Sequence, residues 1–135
     1  MTQIWERLFI GCLADAEELA DENTNDITTV ISLSEIPVQT RREDVKYVHL
    51  PIEDDVPVPV RQFYGVMDAI RKNIRWGTVL LHCGMGVSRA PSLAAAYMAA
   101  VGYKGIDAAL KEIRKVRPFI HPSSTLVTSL KENLR

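Results

Sequence analysis

Cysteine is scarce in this chain. Cys12 and Cys83 are the only two among 135 residues, which excludes a disulfide scaffold and makes a reducing, cytoplasmic setting the expectation. Long apolar runs are missing as well. No stretch approaches the roughly 18 uninterrupted apolar residues of a membrane span. The opening "MTQIWERLFIG" lacks the basic end and apolar run of a secretory signal, so no membrane association is expected. Neither sign of charge dominates. The formal net charge is −1, which gives no electrostatic reason to expect nucleic acid as the main partner. The histidines, His49, His82 and His121, are scattered, so neither a metal cluster nor a cofactor is expected. Repeats, low-complexity tracts and linkers are absent, and a single domain over residues 1–135, acting as a monomer, is the natural reading.

What remains is an alternation of short β-like runs with longer helical ones. "RLFIG" (Arg7 to Gly11), "ITTVISL" (Ile27 to Leu33), "KYVHLPI" (Lys46 to Ile52) and "TVLLH" (Thr78 to His82) read as strands. Ala14 to Glu22 reads as an acidic helix. Phe63, Val66, Met67, Ile70 and Ile74 recur on one helical face, as do Ile106, Ala109, Leu110, Ile113 and Val116. Ala90 to Val101 holds almost nothing polar and predicts a helix surrounded by protein. Ser123 or Ser124 can cap a last helix carrying Leu126, Leu130 and Leu134. The expected fold is therefore α/β: a mixed, mostly parallel sheet of about four to five strands flanked by helices. In such sheets ligands bind beyond the carboxyl ends of the strands.

"LLHCGMGVSRAP" (Leu80 to Pro91) lies at such an end. Gly84 and Gly86 let the backbone curl with its N–H groups inward and a ligand approach closely. A helix starting near Arg89 adds unsatisfied amides and the positive end of its dipole. Arg89 can clamp two oxygens of a tetrahedral oxyanion. The same field favours a thiolate, and a thiolate at the bottom of a phosphate cradle is a nucleophile aimed at phosphorus. The plainer reading of Cys83 is a small core residue at a strand end. Other phosphate loops fit less well. No Gly-Lys-Ser/Thr follows, and Arg89 stands where a dinucleotide fingerprint needs its third glycine.

"HCGMGVSR" resembles the His-Cys-x5-Arg signature of the cysteine-dependent protein tyrosine phosphatases, in particular their small dual-specificity branch. The resemblance runs along nearly the whole chain, through "RLFIGCLADAEEL", "ITTVISLS", "YVHLPIEDD", "SRAPSLAAAYM" and "VRPFIHPSSTLVTSL" in order. It implies a tyrosine-phosphatase-like fold, with Cys83 as nucleophile and Arg89 as phosphate clamp. Residues Gly84, Met85, Gly86, Val87, Ser88 and Arg89 would line the phosphate or a similar anion such as sulfate.

A leaving alkoxide or phenolate needs a proton, and a carboxylic acid on a neighbouring loop can supply it. "IEDDVP" offers Glu53, Asp54 and Asp55. Similarity to the family's acid-loop segment places the general acid on Asp54, with Asp55 as runner-up. His82 is expected to support the loop through hydrogen bonds, and His49 and His121 to be structural or exposed. Two positions depart from the family. Ala90 stands where a Ser or Thr hydroxyl normally helps the thiolate leave, which predicts a slowed second step. Ser123 stands where Asn is usual and is expected to cap the last helix.

The loop floor of Gly84, Met85 and Val87 carries no cation beyond Arg89, whereas members of the family that act on inositol phosphates carry lysines there; the resemblance thus argues against a polyphosphorylated lipid headgroup. The expected partner is a phosphorylated protein or peptide: phosphotyrosine, and phosphoserine or phosphothreonine more slowly, with Met85 walling the aromatic ring. Two alternatives stand beside this. An RNA 5′-phosphatase could use Arg41, Arg42, Lys111, Arg114, Lys115 and Arg117 as a basic track, although such residues usually form solvated helix faces. A non-catalytic phosphate-recognition module would accord with Ala90.

Overall fold

The computed structural model describes residues 1–135. Its elements are β1 (Thr2–Trp5), β2 (Leu8–Gly11), α1 (Leu13–Glu18), β3 (Thr29–Ser32), β4 (Lys46–His49), α2 (Val60–Ile74), β5 (Val79–His82), α3 (Arg89–Ala100), α4 (Ile106–Val116) and α5 (Ser124–Asn133). The five strands form one sheet in the order β1-β2-β5-β3-β4. β2, β5, β3 and β4 are parallel to one another, and β1 alone runs antiparallel, on the edge.

The sheet is covered on both faces, and period-two alternation along the central strand decides which side chain meets which layer. Leu80 of β5 joins Phe9, Val30, Ala16 and Leu19 in a small core beneath α1. Val79, Leu81 and Cys83 face the other way, into the main core with α2 to α5. α3 runs through the middle of that layer. Every residue from Ala90 to Met98 is buried, which accounts for the absence of a polar face in its sequence.

Three elements differ from the sequence expectation. β1 was not anticipated: it is four residues long, and an irregularity between Gln3 and Trp5 spoils the alternation that would mark it. The helix expected to reach Glu22 stops at Glu18, because Ala20 and Asp21 donate to carbonyls three residues back and tighten the chain into turns. The strand expected to reach Ile52 leaves the regular ladder after His49. Leu50 and Ile52 still donate to Ser32 and Leu33, but Pro51 between them has no N–H to give.

With parallel strands in the middle, the carboxyl ends of β2, β5, β3 and β4 share one edge of the sheet. The segments after them, beginning at Cys12, Cys83, Leu33 and Leu50, therefore gather in one place. Leu81 is wholly buried at the centre of this frame. Leu81→Ala is expected to cost about 2–5 kcal/mol, read as a lower urea midpoint at constant slope.

Candidate active site

Continuing the alternation past β5 sends His82 beneath the loop and the Cys83 side chain toward α3. Four carbonyls around the loop are held by donors outside it. Leu33 N–H donates to His82 O at 2.9 Å, Leu13 N–H to Gly84 O at 3.0 Å, and His121 N–H to Val87 O at 2.7 Å. Arg117 Nε donates to Gly86 O at 2.9 Å. No peptide in the chain is cis, and in a planar trans peptide the N–H lies opposite the preceding carbonyl. Turning the Gly84, Gly86 and Val87 carbonyls outward thus turns the Met85, Val87 and Ser88 amides inward. The result is a concave array of inward N–H groups, a nest of the kind that can receive an anion.

Gly86 is the pivot. Its φ is +71°, a left-handed conformation that glycine adopts without strain. A Cβ there would also lie 2.6 Å from Arg117 Nη2 and 2.7 Å from Gly11 O. Conformation and space both require glycine.

Cys83 is buried, and the backbone N–H of Ala90, in the first turn of α3, donates to its Sγ at 3.4 Å. Ser88 occupies the N-cap position without capping the helix. Its hydroxyl is engaged elsewhere, donating to Asp54 Oδ1 at 2.9 Å and accepting from Ser123 N–H at 3.1 Å. No side-chain cap therefore competes with the sulfur for the first-turn amides. Ser123 itself caps α5, accepting from Leu126 N–H at 3.3 Å.

Three acceptors converge on one nitrogen of Arg89. Nη1 donates to Glu35 Oε1 at 2.9 Å, Ile52 O at 3.1 Å and Leu33 O at 3.4 Å. These bonds orient the guanidinium by one arm, while Nη2 lies over the loop at Gly84, 3.5 Å from where a Cβ would stand. Of the two neighbouring aspartates, Asp54 is half-buried and reaches Ser88. Asp55 is exposed with φ of +60°, and its N–H donates to Asp54 Oδ1 at 3.0 Å. The turn after β4 thus aims one carboxylate at the loop and the other at solvent.

His82 is wholly buried. Its Nδ1 lies 3.1 Å from Cys83 O and its Nε2 2.6 Å from Ser32 Oγ. A carbonyl can only accept, so Nδ1 carries the proton, and neutral Nε2 accepts from the Ser32 hydroxyl. Burial pushes its pKa below the usual 6.5, against the opposing pull of the Cys83 carbonyl. His49 Nε2 donates to Ser34 O at 2.8 Å, and the His121 side chain is exposed. Met85 is 76% exposed at the rim of the loop. Cys12 and Cys83 are free thiols, with Cys12 Sγ donating to Asp15 Oδ2 at 3.3 Å.

Glu35, Ser32 and Arg117 were not singled out for the site from the sequence. The first two carry no local motif. Arg117, placed by its neighbours in a basic surface track, is instead buried. No cluster of three or more His, Cys, Asp or Glu could hold a metal ion, and no helix is long and apolar enough to cross a membrane.

The family model for the dual specificity phosphatase catalytic domain matches residues 8–134. Dual specificity protein phosphatase 15 of Homo sapiens is 30% identical over 129 residues, covering 93% of this chain and 43% of that protein. Dual specificity protein phosphatase 18 of Rattus norvegicus is 33% identical over 129 residues, covering 92% and 62%. The chain thus spans about half the length of these curated relatives. The crystal structure of DUSP15 superposes with a TM-score of 0.88 at 29% identity, covering 99% of this chain and 86% of that one. That of human tyrosine phosphatase-like serine/threonine/tyrosine-interacting protein gives 0.84 at 26%, covering 98% and 93%. A mostly parallel sheet whose central strand feeds a cysteine-to-arginine loop accords with these matches, and this chain belongs to the dual-specificity phosphatase catalytic-domain family.

The depressed His82 pKa has a consequence for stability. The unfolded chain takes up this proton near pH 6.5 and the folded one resists it. The contribution is complete above that pH and is lost as the pH falls through it. Urea midpoints measured between about pH 8 and pH 5 should fall, and His82→Asn should flatten the slope.

Proposed function

We propose that this domain hydrolyses phosphate monoesters of proteins, phosphotyrosine foremost and phosphoserine or phosphothreonine more slowly, through a cysteinyl-phosphate. The observation that carries this reading is the 2.9 Å hydrogen bond from Ser88 to Asp54. It brings a carboxylate from the turn after β4 onto the loop whose far end holds the Cys83 sulfur. Nucleophile, anion nest and proton donor then meet at one sheet edge.

In the first step the Cys83 thiolate attacks phosphorus and the bond to the ester oxygen breaks. That oxygen keeps the bonding pair and takes the proton of the Asp54 carboxyl. Arg89 and the inward amides hold the equatorial oxygens. In the second step Asp54, now a carboxylate, removes a proton from water. The water oxygen attacks phosphorus, the P–S bond breaks, and the thiolate returns as phosphate leaves. His82 moves no proton; it fixes the Cys83 carbonyl from below.

The surroundings favour a polypeptide substrate. Met85 and Ile36 expose apolar side chains, Met85 on the loop and Ile36 beside Glu35, offering contact to an aromatic ring. A groove of about 410 Å³, bounded in part by Glu35, Ile52, Glu53, Val56 and Pro57, runs past the residues that anchor Arg89. The basic track that would serve RNA is largely engaged elsewhere. Arg117 is buried, Arg42 pairs with Asp44, and Lys115 pairs with Glu112. The two free thiols accord with a cytoplasmic setting.

Release of para-nitrophenol from its phosphate tests the chemistry. Cys83→Ser is expected to abolish turnover and Asp54→Asn to lower it by roughly 10²–10⁴-fold, with Asp55→Asn close to the parent. An inactive parent that still binds phosphopeptide would instead mark a recognition module, and preference for a 5′-triphosphorylated RNA would mark the nucleic-acid reading.

Ala90 has a separate signature. Its amide reaches the sulfur but it has no hydroxyl, and Ser88 has already committed its own to Asp54. Dephosphorylation of the enzyme should limit turnover and produce a burst. Ala90→Ser is expected to raise steady-state turnover several-fold and shrink the burst in stopped-flow traces; identical traces would refute this.

A further inference from the structure

Arg117 is a buried cation with no carboxylate against it. It lies just past the end of α4, 6% exposed, and none of the chain's ion pairs includes it. Its Nε donates to Gly86 O at 2.9 Å and its Nη1 to Thr2 Oγ1 at 2.6 Å. The guanidinium carbon stands 4.5 Å from the centroid of the Phe119 ring, and Nη2 crowds Gly86. Neutral oxygens and an aromatic face are thus what this permanent cation meets.

Burying a charge without a counter-ion is unfavourable, and a long apolar side chain would fill the same space without that penalty. The position of the charge is informative. The peptide it holds, Gly86–Val87, is one of those whose carbonyl turns outward and whose N–H turns into the nest. A second guanidinium therefore holds the middle of the loop from outside, where Arg89 is its last residue.

We propose that Arg117 is a positioning residue for the phosphate loop and that its uncompensated charge is part of the loop's affinity for a dianion. This rests on reading the loop as the phosphate site. It goes further in assigning a second cation to that site, one that touches no substrate atom. The bound dianion is the counter-ion the buried guanidinium lacks, so occupancy of the loop relieves a cost that the empty protein carries. Thr2 extends the arrangement to the edge strand: β1 is tied to the loop through the same side chain.

Affinity for inorganic phosphate, measured by calorimetry without any turnover, tests the proposal in the parent, Arg117→Met and Arg117→Lys. The melting temperature of each without anion and its KM and kcat on para-nitrophenyl phosphate complete the comparison. Arg117→Met is expected to bind phosphate about tenfold more weakly and to raise KM more than it lowers kcat. Its anion-free melting temperature should be equal or higher. Arg117→Lys, which keeps the charge, should recover most of the lost affinity. Phosphate binding in Arg117→Met equal to the parent overturns the proposal, as does a lysine variant as weak as the methionine one. Should Arg117→Met fail to fold, Arg117→Gln keeps a donor for Gly86 O without the charge, and parental affinity there is equally fatal. A parent that binds phosphate but hydrolyses nothing counts against the catalytic reading alone.

Discussion

The amide of Ala90 donates to the sulfur of Cys83, seven positions earlier in the chain. That contact closes the loop into a ring, and much of the surrounding structure serves to make it possible. A helix ordinarily satisfies its first-turn amides with a side-chain cap. Here the residue at the cap position turns its hydroxyl to Asp54 and the Ser123 amide. Pro91, the third residue of α3, has no N–H to satisfy. The positive end of the helix, equivalent to roughly half an elementary charge, is left facing the sulfur.

Magnitudes separate the contacts that position Arg89 from those that merely accompany it. The ion pair to Glu35 is short, but the Glu35 side chain is 69% exposed, and pairs open to solvent contribute about 0–1 kcal/mol. The carbonyls of Leu33 and Ile52 belong to backbone fixed by the sheet and cannot rotate away. Glu35 adds direction; the carbonyls give rigidity. The loop bearing Glu35 is itself pinned where the Glu17 carboxylate of α1 accepts from the Gln39 and Thr40 amides at 3.0 and 2.6 Å.

Much of this was legible in the sequence because it is local. Strand β5, the glycines, the cysteine and the arginine sit within one short run, and the apolar faces of α2 and α4 repeat at helical spacing. The parallel sheet followed from alternation of elements. What stayed hidden depends on partners distant in the chain. Glu35 reaches Arg89 across 54 positions and Ser32 reaches His82 across 50, and neither carries a mark of its own. Arg117 was misplaced for the same reason: beside the lysines and arginines of α4, nothing local distinguishes the buried one just past its end. β1 escaped because a strand of four residues with a bulge has no period to detect. Asp54 and Asp55 were separated by the resemblance; the physical distinction, a left-handed residue that points the second carboxylate outward, shows only in the backbone.

Four parallel strand ends supply the site, and each is separated from the next by a crossover or a long connection. The Arg89 partners Leu33, Glu35 and Ile52, the Asp54 carboxylate and the Cys83–Arg89 loop lie far apart in the chain and meet only through the sheet. The sulfur comes from the strand that is last in sequence yet central in space, so its neighbours on both sides must already be paired before the loop has walls. The geometry of the loop is then a property of the completed sheet rather than of any one strand and its following turn. A partly folded chain holds the same cysteine and arginine as separate side chains, without the ring that the Ala90 amide closes.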